Sequence, residues 1–440
     1  MTDTTDTAPV AVQPNERPNL IARLSALEFD TRLVGMCVAL AVIWVGFHGI
    51  SDGQFITARN LWNLFVQSSS IAIMATGMVL IIVTRNIDLS VGAQLGLIGY
   101  VMALLQTDTL TANSWYVWIV ALAAGLALGA AIGALQGSII AYLGVPAFIV
   151  TLGGFLAWRA LIFRVGDKKG QTLSPLDDTF RYLGGAPERA IGEGATWVVA
   201  VLICTAIIAS TLLTRRRRQR YELAVRPVAV DVSIIVVGCA AVLLFTWRVL
   251  VRYLSPVSGK AVGLAYPVLI LLGVALVMNY LARRRRFGRY VYAYGGNPEA
   301  AELGGINTKR TIVNTYVVMG MLCAVSAAIQ TARLDSATSG MGVQNELDVI
   351  AAAVIGGTSF AGGVGTIPGA VLGAVLMQSL RSGMSLLNID SPDQDIVVGV
   401  VLVTAVAIDA LLRARRRSSM LGTLLIGTSL TAWIILTGRN

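Results

Sequence analysis

The chain has 440 residues, 55% of them hydrophobic and 13% charged, with a formal net charge of +10 and a mean hydropathy of +0.72. A soluble protein carries roughly 25% charged residues, and the apolar residues here come in long runs instead of helical stripes. A soluble fold is therefore excluded, and so is a β-barrel, whose short alternating segments are absent. What remains is an all-α, polytopic integral membrane protein, in which each span needs about 20 apolar residues to cross roughly 30 Å of hydrocarbon.

The first 32 residues open with MTDTTDTAPVAVQPNERP, a Thr-, Pro- and Asp-rich composition expected to be a disordered cytoplasmic tail. Arg17, Arg23 and Arg32 precede the first apolar run, which reads as an uncleaved first span and not as a signal peptide. Apolar runs predict spans over 33–50, 61–83, 91–105, 116–140, 145–165, 197–213, 231–251, 264–282, 311–331, 365–387, 396–412 and 420–437, about 10–12 in all. The rest, 33–440, reads as one transmembrane domain, because no extramembrane piece is long enough for a core of its own.

Arginines gather at span ends, in 215–218, 283–286 and 413–417. That is the positive-inside bias, and an N-terminus inside puts each block on the cytoplasmic face as far as the ninth span. A basic face divided among span ends also excludes nucleic acid as a partner. Alternation then fails once. Residues 332–349 and 388–395 must both be outside, so the stretch AAAVIGGTSFAGGVGTIPGAVLGAVLMQSL has to enter and return. A half-helix over 350–356, a glycine-rich break over Gly356–Gly365 and a full helix would do this, with the freed backbone kept inside protein or a wet cavity. Two ordinary spans joined by a tight turn at Gly362–Gly363 remain the alternative.

Few charges lie at membrane depth. Asp88, in TRNIDLSVGAQLG, would cost roughly 2.5–3.5 kcal/mol at the middle of a span, so it belongs at an edge or in a cavity. Asp88 or Ser90 can N-cap the helix that starts near Val91; a loop lining the solute path is compatible with that. Arg159 either snorkels to the interface or faces a wet cavity, and Asp409 is placed to pair with the Arg413 cluster. Gln67, Ser68, Ser69, Ser70, Asn314 and Gln330 suit helix–helix hydrogen bonds as well as contacts to a polar solute.

Catalytic chemistry is missing. Gly259–Lys260 is followed by Ala261 and preceded by Leu254, where a phosphate cradle G-x-x-x-x-G-K-[ST] needs Ser or Thr and Gly. His48 is the single histidine, and Cys37, Cys204, Cys239 and Cys323 all sit in apolar runs, so no metal site is expected.

Four motifs occur in order: IDLSVGA, VPAFIVTLGG, GRYVYAYGGNPEAAELGGIN and VIGGTSFAGGVGTIPGAVLGA. Together they resemble the membrane permease subunit of bacterial ABC monosaccharide importers, the ribose/xylose/galactose branch, over roughly 55–412. The insert near 214–230 and DSATSGMGVQNELDVIAA are most similar to xylose-transport permeases; the long N-terminal tail and the span 420–437 depart from the pattern. The resemblance implies a type II ABC-importer architecture like that of the vitamin B12 permease, in the bacterial cytoplasmic (inner) membrane. It implies a cytoplasmic ABC ATPase that uses the ATP, an extracytoplasmic sugar-binding protein, a homodimer of permeases and no cofactor on this chain.

It also implies that the loop 283–310 carries a short coupling helix that docks in the ATPase. Asn297, Pro298, Glu299, Ala300, Ala301, Glu302 and Gly304 have the parts. Pro298 suits a first helical turn, Glu299 favours the positive helix start, and Gly304 or Gly305 can end it. Asp88, Ser90, Arg159, Thr358, Ser359 and Phe360 are the candidates for the substrate path. Two rivals stand beside this reading: an ion-coupled secondary transporter, for which Asp88 is the one deep carboxylate, and a structural membrane subunit.

Overall fold

The computed structural model describes residues 31–110, 114–166, 170–223, 225 and 227–415. The tail expected over 1–32, apart from Thr31 and Arg32 at the start of the first helix, and the span expected over 420–437 lie outside the described residues; so does the side chain of Asp409. The described residues form fourteen α-helices and no strand beyond isolated bridges. In chain order, α1 (Thr31–Ile50), α2 (Ala58–Val83), α3 (Val91–Leu104), α4 (Val117–Leu143), α5 (Ala147–Leu161), α6 (Gly192–Arg220), α7 (Val228–Phe245) and α8 (Tyr266–Arg284) come first. Then follow two short helices, α9 (Arg286–Gly296) and α10 (Pro298–Leu303), and α11 (Thr308–Leu334), α12 (Asn345–Ile355), α13 (Ile367–Leu386) and α14 (Ser391–Arg415). Eleven of the expected spans are helices. Seven of these meet the length and hydropathy of a membrane-crossing segment, so the chain is an all-α multi-pass membrane protein.

α2 is the axis of the molecule. Of its most apolar stretch, 94% is buried, and every residue from Ser68 to Val83 is buried, against α8, α11, α12 and α13. Thr57 caps it by accepting from the Asn60 N–H at 3.3 Å. A helix that is hydrophobic all round belongs in the interior, and this one has packed neighbours where a peripheral span has lipid.

α4 and α11 make the most extensive helix pair, and glycine is the reason. Gly125, Gly129, Gly133 and Gly137 recur every fourth residue of α4, and all four are buried. A Cβ on Gly129 would run into the Gly320 carbonyl of α11, and one on Gly133 into the Tyr316 carbonyl. Within lipid, where burial of apolar surface no longer drives association, such small residues let backbones approach and gain dispersion contacts. α6 and α7 are the reverse case: only 11% and 6% of their apolar windows are buried in the protein, with Val201, Leu202, Val236 and Val237 exposed to the bilayer.

α12 has eleven residues, which at about 1.5 Å per residue span only about half the hydrocarbon. The half-helix expectation therefore stands, with the helix longer and earlier (Asn345–Ile355) than 350–356; two full spans joined at Gly362–Gly363 are excluded. The break runs from Gly356 to Thr366, where the Thr366 side chain accepts from the Gly369 N–H and starts α13. At the far ends of these helices Arg381 of α13 donates to Asp348 of α12 at 2.9 Å and to Asp395 of α14 at 3.2 Å. This clamp holds three helices with one guanidinium.

Candidate functional site

The end of the molecule that bears the arginine blocks of α6 and α8 also carries α9 and α10. α10 forms from local signals alone. Asn297 accepts from the Ala300 N–H at 3.1 Å, Pro298 fills the first turn, and Gly304 returns its N–H to the Ala300 carbonyl at 2.9 Å. The chain then leaves through Gly305 at φ +78°, a left-handed backbone that glycine adopts without a Cβ penalty. Ala301 is buried and holds the helix against the bundle, while Glu299, Ala300 and Glu302 are exposed. Leu303 is 90% exposed, a large apolar side chain held out from the surface.

Three separate stretches of chain meet beneath α10. Arg85, after α2, donates from Nε to the Gly295 carbonyl and from Nη2 to the Gly296 carbonyl, both at 2.8 Å. The Gly363 N–H of the α12–α13 break donates to the Val83 carbonyl at 3.0 Å. Tyr292 of α9 donates its hydroxyl to the Gly365 carbonyl at 2.8 Å. Burial pushes the Tyr292 phenol above its ordinary value, opposed by the nearby charge of Arg283, so the hydroxyl keeps its proton and remains a donor. Gly362 and Gly363 have φ of +85° and +72°, and a Cβ on Gly295 would collide with the Val83 carbonyl. The α9–α10 corner, the end of α2 and the broken segment thus form one rigid junction, which can carry a displacement of α10 into the middle of the bundle.

The residues expected along a substrate path fall in three places: just before α3, in α5 and in the break itself. Asp88 and Ser90 are fully buried. The capping expectation is corrected: Ser90 occupies the N-cap position of α3 with no side-chain cap bond, and Asp88 Oδ1 instead accepts from the Ser90 N–H at 2.9 Å and the Ser90 hydroxyl at 2.6 Å. The Ser90 oxygen accepts from Gln94 at 2.7 Å and Gln136 at 3.0 Å, so the group ties α3 to α4. Arg159 turns inward, donating to the Met341 carbonyl at 2.7 Å and, more loosely, to that of Ser339; it does not snorkel. Thr358 and Ser359 are buried in the break, Thr358 Oγ1 without a hydrogen-bond partner, and Phe360 packs on the core.

None of these six lines the polar cavity of about 580 Å³ that opens at the end opposite α10, among α2, α11, α12, α13 and the start of α14. Sequence reasoning missed Arg85, Tyr292 and Leu303. Leu303 was findable, as the one large apolar residue inside NPEAAELGG. Arg85 and Tyr292 carry no local signal, since their partners are carbonyls far along the chain.

A bundle of full and broken spans with a short helix held out on one end has the build of a membrane transport component. The comparisons make this particular. A family model described as branched-chain amino acid transport system / permease component matches residues 60–406. The xylose transport system permease protein XylH of Haemophilus influenzae is 37% identical over 382 residues, covering 85% of this chain and 95% of that protein. The ribose import permease protein RbsC of Escherichia coli is 34% identical over 377 residues, covering 86% and 92%. The galactose/methyl galactoside import permease protein MglC of Haemophilus influenzae is 28% identical over 407 residues, covering 90% and 100%. No solved structure matches the chain. The chain belongs to this family of transport permeases, within the branch that the four sequence motifs indicated.

Proposed function

We propose that this chain is the membrane permease subunit of an ATP-driven, binding-protein-dependent importer of a monosaccharide, with a pentose such as xylose as cargo. The names of its relatives support the sugar, and 37% identity across nearly the whole of a xylose permease favours xylose. The observation that carries the mechanism is the junction under α10: Arg85, Tyr292 and the Gly362–Gly363 backbone tie an exposed helix to the broken segment of the bundle. In this reading Asn297–Gly304 docks in a separate cytoplasmic ATPase with Leu303 as its apolar anchor. ATP-driven closure moves α10, and the bundle rocks between two open forms.

The chain itself holds no ATP and no cofactor. Two copies line the path, residues 33–440 act as one permease domain in the bacterial inner membrane, the N-terminus is inside, and an extracytoplasmic protein delivers the sugar. In this reading Asp88, Ser90, Arg159, Thr358, Ser359 and Phe360 flank the substrate path, four of them buried and Arg159 and Phe360 half-buried.

Reversing a two-state equilibrium from 1:99 to 99:1 takes about 5.5 kcal/mol of differential binding. An exposed ion pair contributes about 0–1 kcal/mol, so the ATPase contact has to be broad and centred on the apolar Leu303. The test is uptake of labelled D-xylose into vesicles reconstituted with the chain, the cognate ATPase and the binding protein. ATP-dependent accumulation is expected, lost when Glu299–Gly305 is replaced by a flexible linker. Accumulation by the chain alone, without an ATPase, would overturn the reading in favour of an ion-coupled transporter.

A further inference from the structure

α8 is long and apolar enough to cross a membrane, yet only 22% of its apolar window is buried in the protein. Its exposed side chains include Leu272, Leu276, Val277, Tyr280, Arg283 and Arg284. At 3.6 residues per turn these six share one side of the helix. That side is apolar for three turns and then ends in two guanidinium groups. Tyr280, apolar in body and polar at its tip, marks the depth at which hydrocarbon gives way to headgroups.

The arginines beyond Tyr280 converge. The chain turns at Arg285 from α8 into α9, and the turn is close: a Cβ on Gly288 would strike the Leu281 and Ala282 carbonyls. This brings Arg289 of α9 back to the end of α8, where its Nη1 donates to the Arg284 carbonyl at 3.4 Å. The Arg285 guanidinium lies over the Tyr280 ring, 5.0 Å from its centroid. Arg284, Arg285 and Arg289 are all exposed, and among the described residues no carboxylate pairs with any of them. The block on α6 differs, since Arg215 there is held by Asp231. The start of α9 lies at the same turn without a side-chain cap, which adds the positive end of a helix dipole.

We propose that this α8–α9 elbow binds an anionic phospholipid, with its phosphate held by Arg284, Arg285 and Arg289 and its acyl chains along Leu272, Leu276 and Val277. Guanidinium forks match phosphate oxygens in pairs. A free phosphate gains nothing from the apolar face, and an acidic soluble protein leaves that face uncovered; a lipid covers both parts. The α9 chain continues to Tyr292 and Gly295, which are bonded into the junction under α10. A headgroup held across the elbow therefore steadies the element from which that junction hangs.

The test is native mass spectrometry of the full-length chain in detergent, titrated with phosphatidylglycerol or with phosphatidylcholine of the same acyl chains. Phosphatidylglycerol is expected to bind the more tightly. Each basic charge near the headgroup contributes about fivefold to affinity. Arg284→Gln, Arg285→Gln and Arg289→Gln together are expected to weaken phosphatidylglycerol binding on the order of a hundredfold. Arg216→Gln, Arg217→Gln and Arg220→Gln remove equal charge from exposed positions of α6 and are expected to leave it nearly unchanged. Phosphatidylglycerol is also expected to raise the melting temperature of the parent and the α6 variant, but not of the elbow variant, by mass action on the folded state.

Equal weakening by the two triple variants overturns the site in favour of diffuse charge, and equal binding of the two lipids removes the headgroup from it. Competition by glycerol phosphate as strong as by the lipid reduces it to an anion site. Unchanged lipid binding in the elbow variant, together with lost co-purification of the ATPase, assigns the arginines to a protein partner instead. If the elbow variant melts lower than the parent without lipid, the corresponding Arg→Lys triple, which keeps the charge and loses the forks, carries the comparison. It is expected to bind phosphatidylglycerol several-fold more weakly than the parent, and unchanged binding overturns the assignment.

Discussion

Arg85 shows how much one side chain can decide. Its backbone sits at φ +61°, and from there its guanidinium reaches the carbonyls of both Gly295 and Gly296. A lysine retains the charge but is a point donor without the planar fork. Arg85→Lys is therefore expected to fold and bind the ATPase yet to lose most ATP-driven uptake, because the α9–α10 corner is no longer fixed to the end of α2. Measuring uptake and ATPase co-purification on the same preparation checks this; uptake equal to the parent would remove Arg85 from the coupling route. Asp88 presents a different case, a structural acceptor at a fully buried position. Asp88→Ala orphans the buried Ser90 N–H and leaves its hydroxyl only the longer 3.3 Å contact with Gln136 Oε1, which costs about 1–3 kcal/mol, and a lower melting temperature in detergent is expected. Asp88→Asn keeps an acceptor at the same place and is expected to melt close to the parent. Equal melting of the two variants would mean that the Ser90 contacts contribute little. The sequence called for Asp88 at an edge or in a cavity; the structure buries it fully, and its partners Ser90 and, through it, Gln94 and Gln136 were not legible.

Among the elements, the α4–α11 pair depends on backbone proximity. Gly133→Leu places a side chain where the Tyr316 carbonyl lies, and overpacking of this kind costs typically about 1–3 kcal/mol. A fall in melting temperature and in monodisperse yield is expected. Gly153→Leu on α5 is the control, because a Cβ there meets nothing within 4 Å; it is expected to leave both unchanged. Equal effects of the two would show that the glycine ridge is not what seats α4. The repeat at 125, 129, 133 and 137 is legible in the sequence as a small-residue stripe, but its partner α11 is not. α10 was legible down to its caps, because Asn297, Pro298 and Gly305 act on their immediate neighbours. The half-helix α12 was legible for another reason, the arithmetic of crossings, which fixed its presence but misplaced its start by several residues. Thr308–Leu334 illustrates the limit: its apolar length marks a span, while its contacts with α2, α3 and α4 leave no trace in the residue pattern.

For the whole molecule, the arginine blocks and the α10 end define one face and the polar cavity the other. Cysteine labelling in intact cells and inverted vesicles tests this. Leu303→Cys, on α10, is expected to react from the cytoplasmic side and to be shielded when the ATPase is bound. Val257→Cys, 80% exposed in the α7–α8 connection, is expected to react from outside. Reaction of both from one side would break the alternation on which the N-inside topology depends. What the sequence by itself determined is the membrane class, the positions of eleven helices, seven of them long and apolar enough to cross a membrane, the short helix α10 and the family. Each of these depends on a local quantity, the transfer free energy of a window of about 20 residues or a cap formed within a few residues. Only the tertiary structure decided which polar groups meet: Gln67 and Gln378 are 311 positions apart, and Arg85 lies 210 from Gly295. Hydropathy and capping are sums over neighbours in the chain, whereas a cavity wall or a junction is set by the packing of helices that the chain order does not rank.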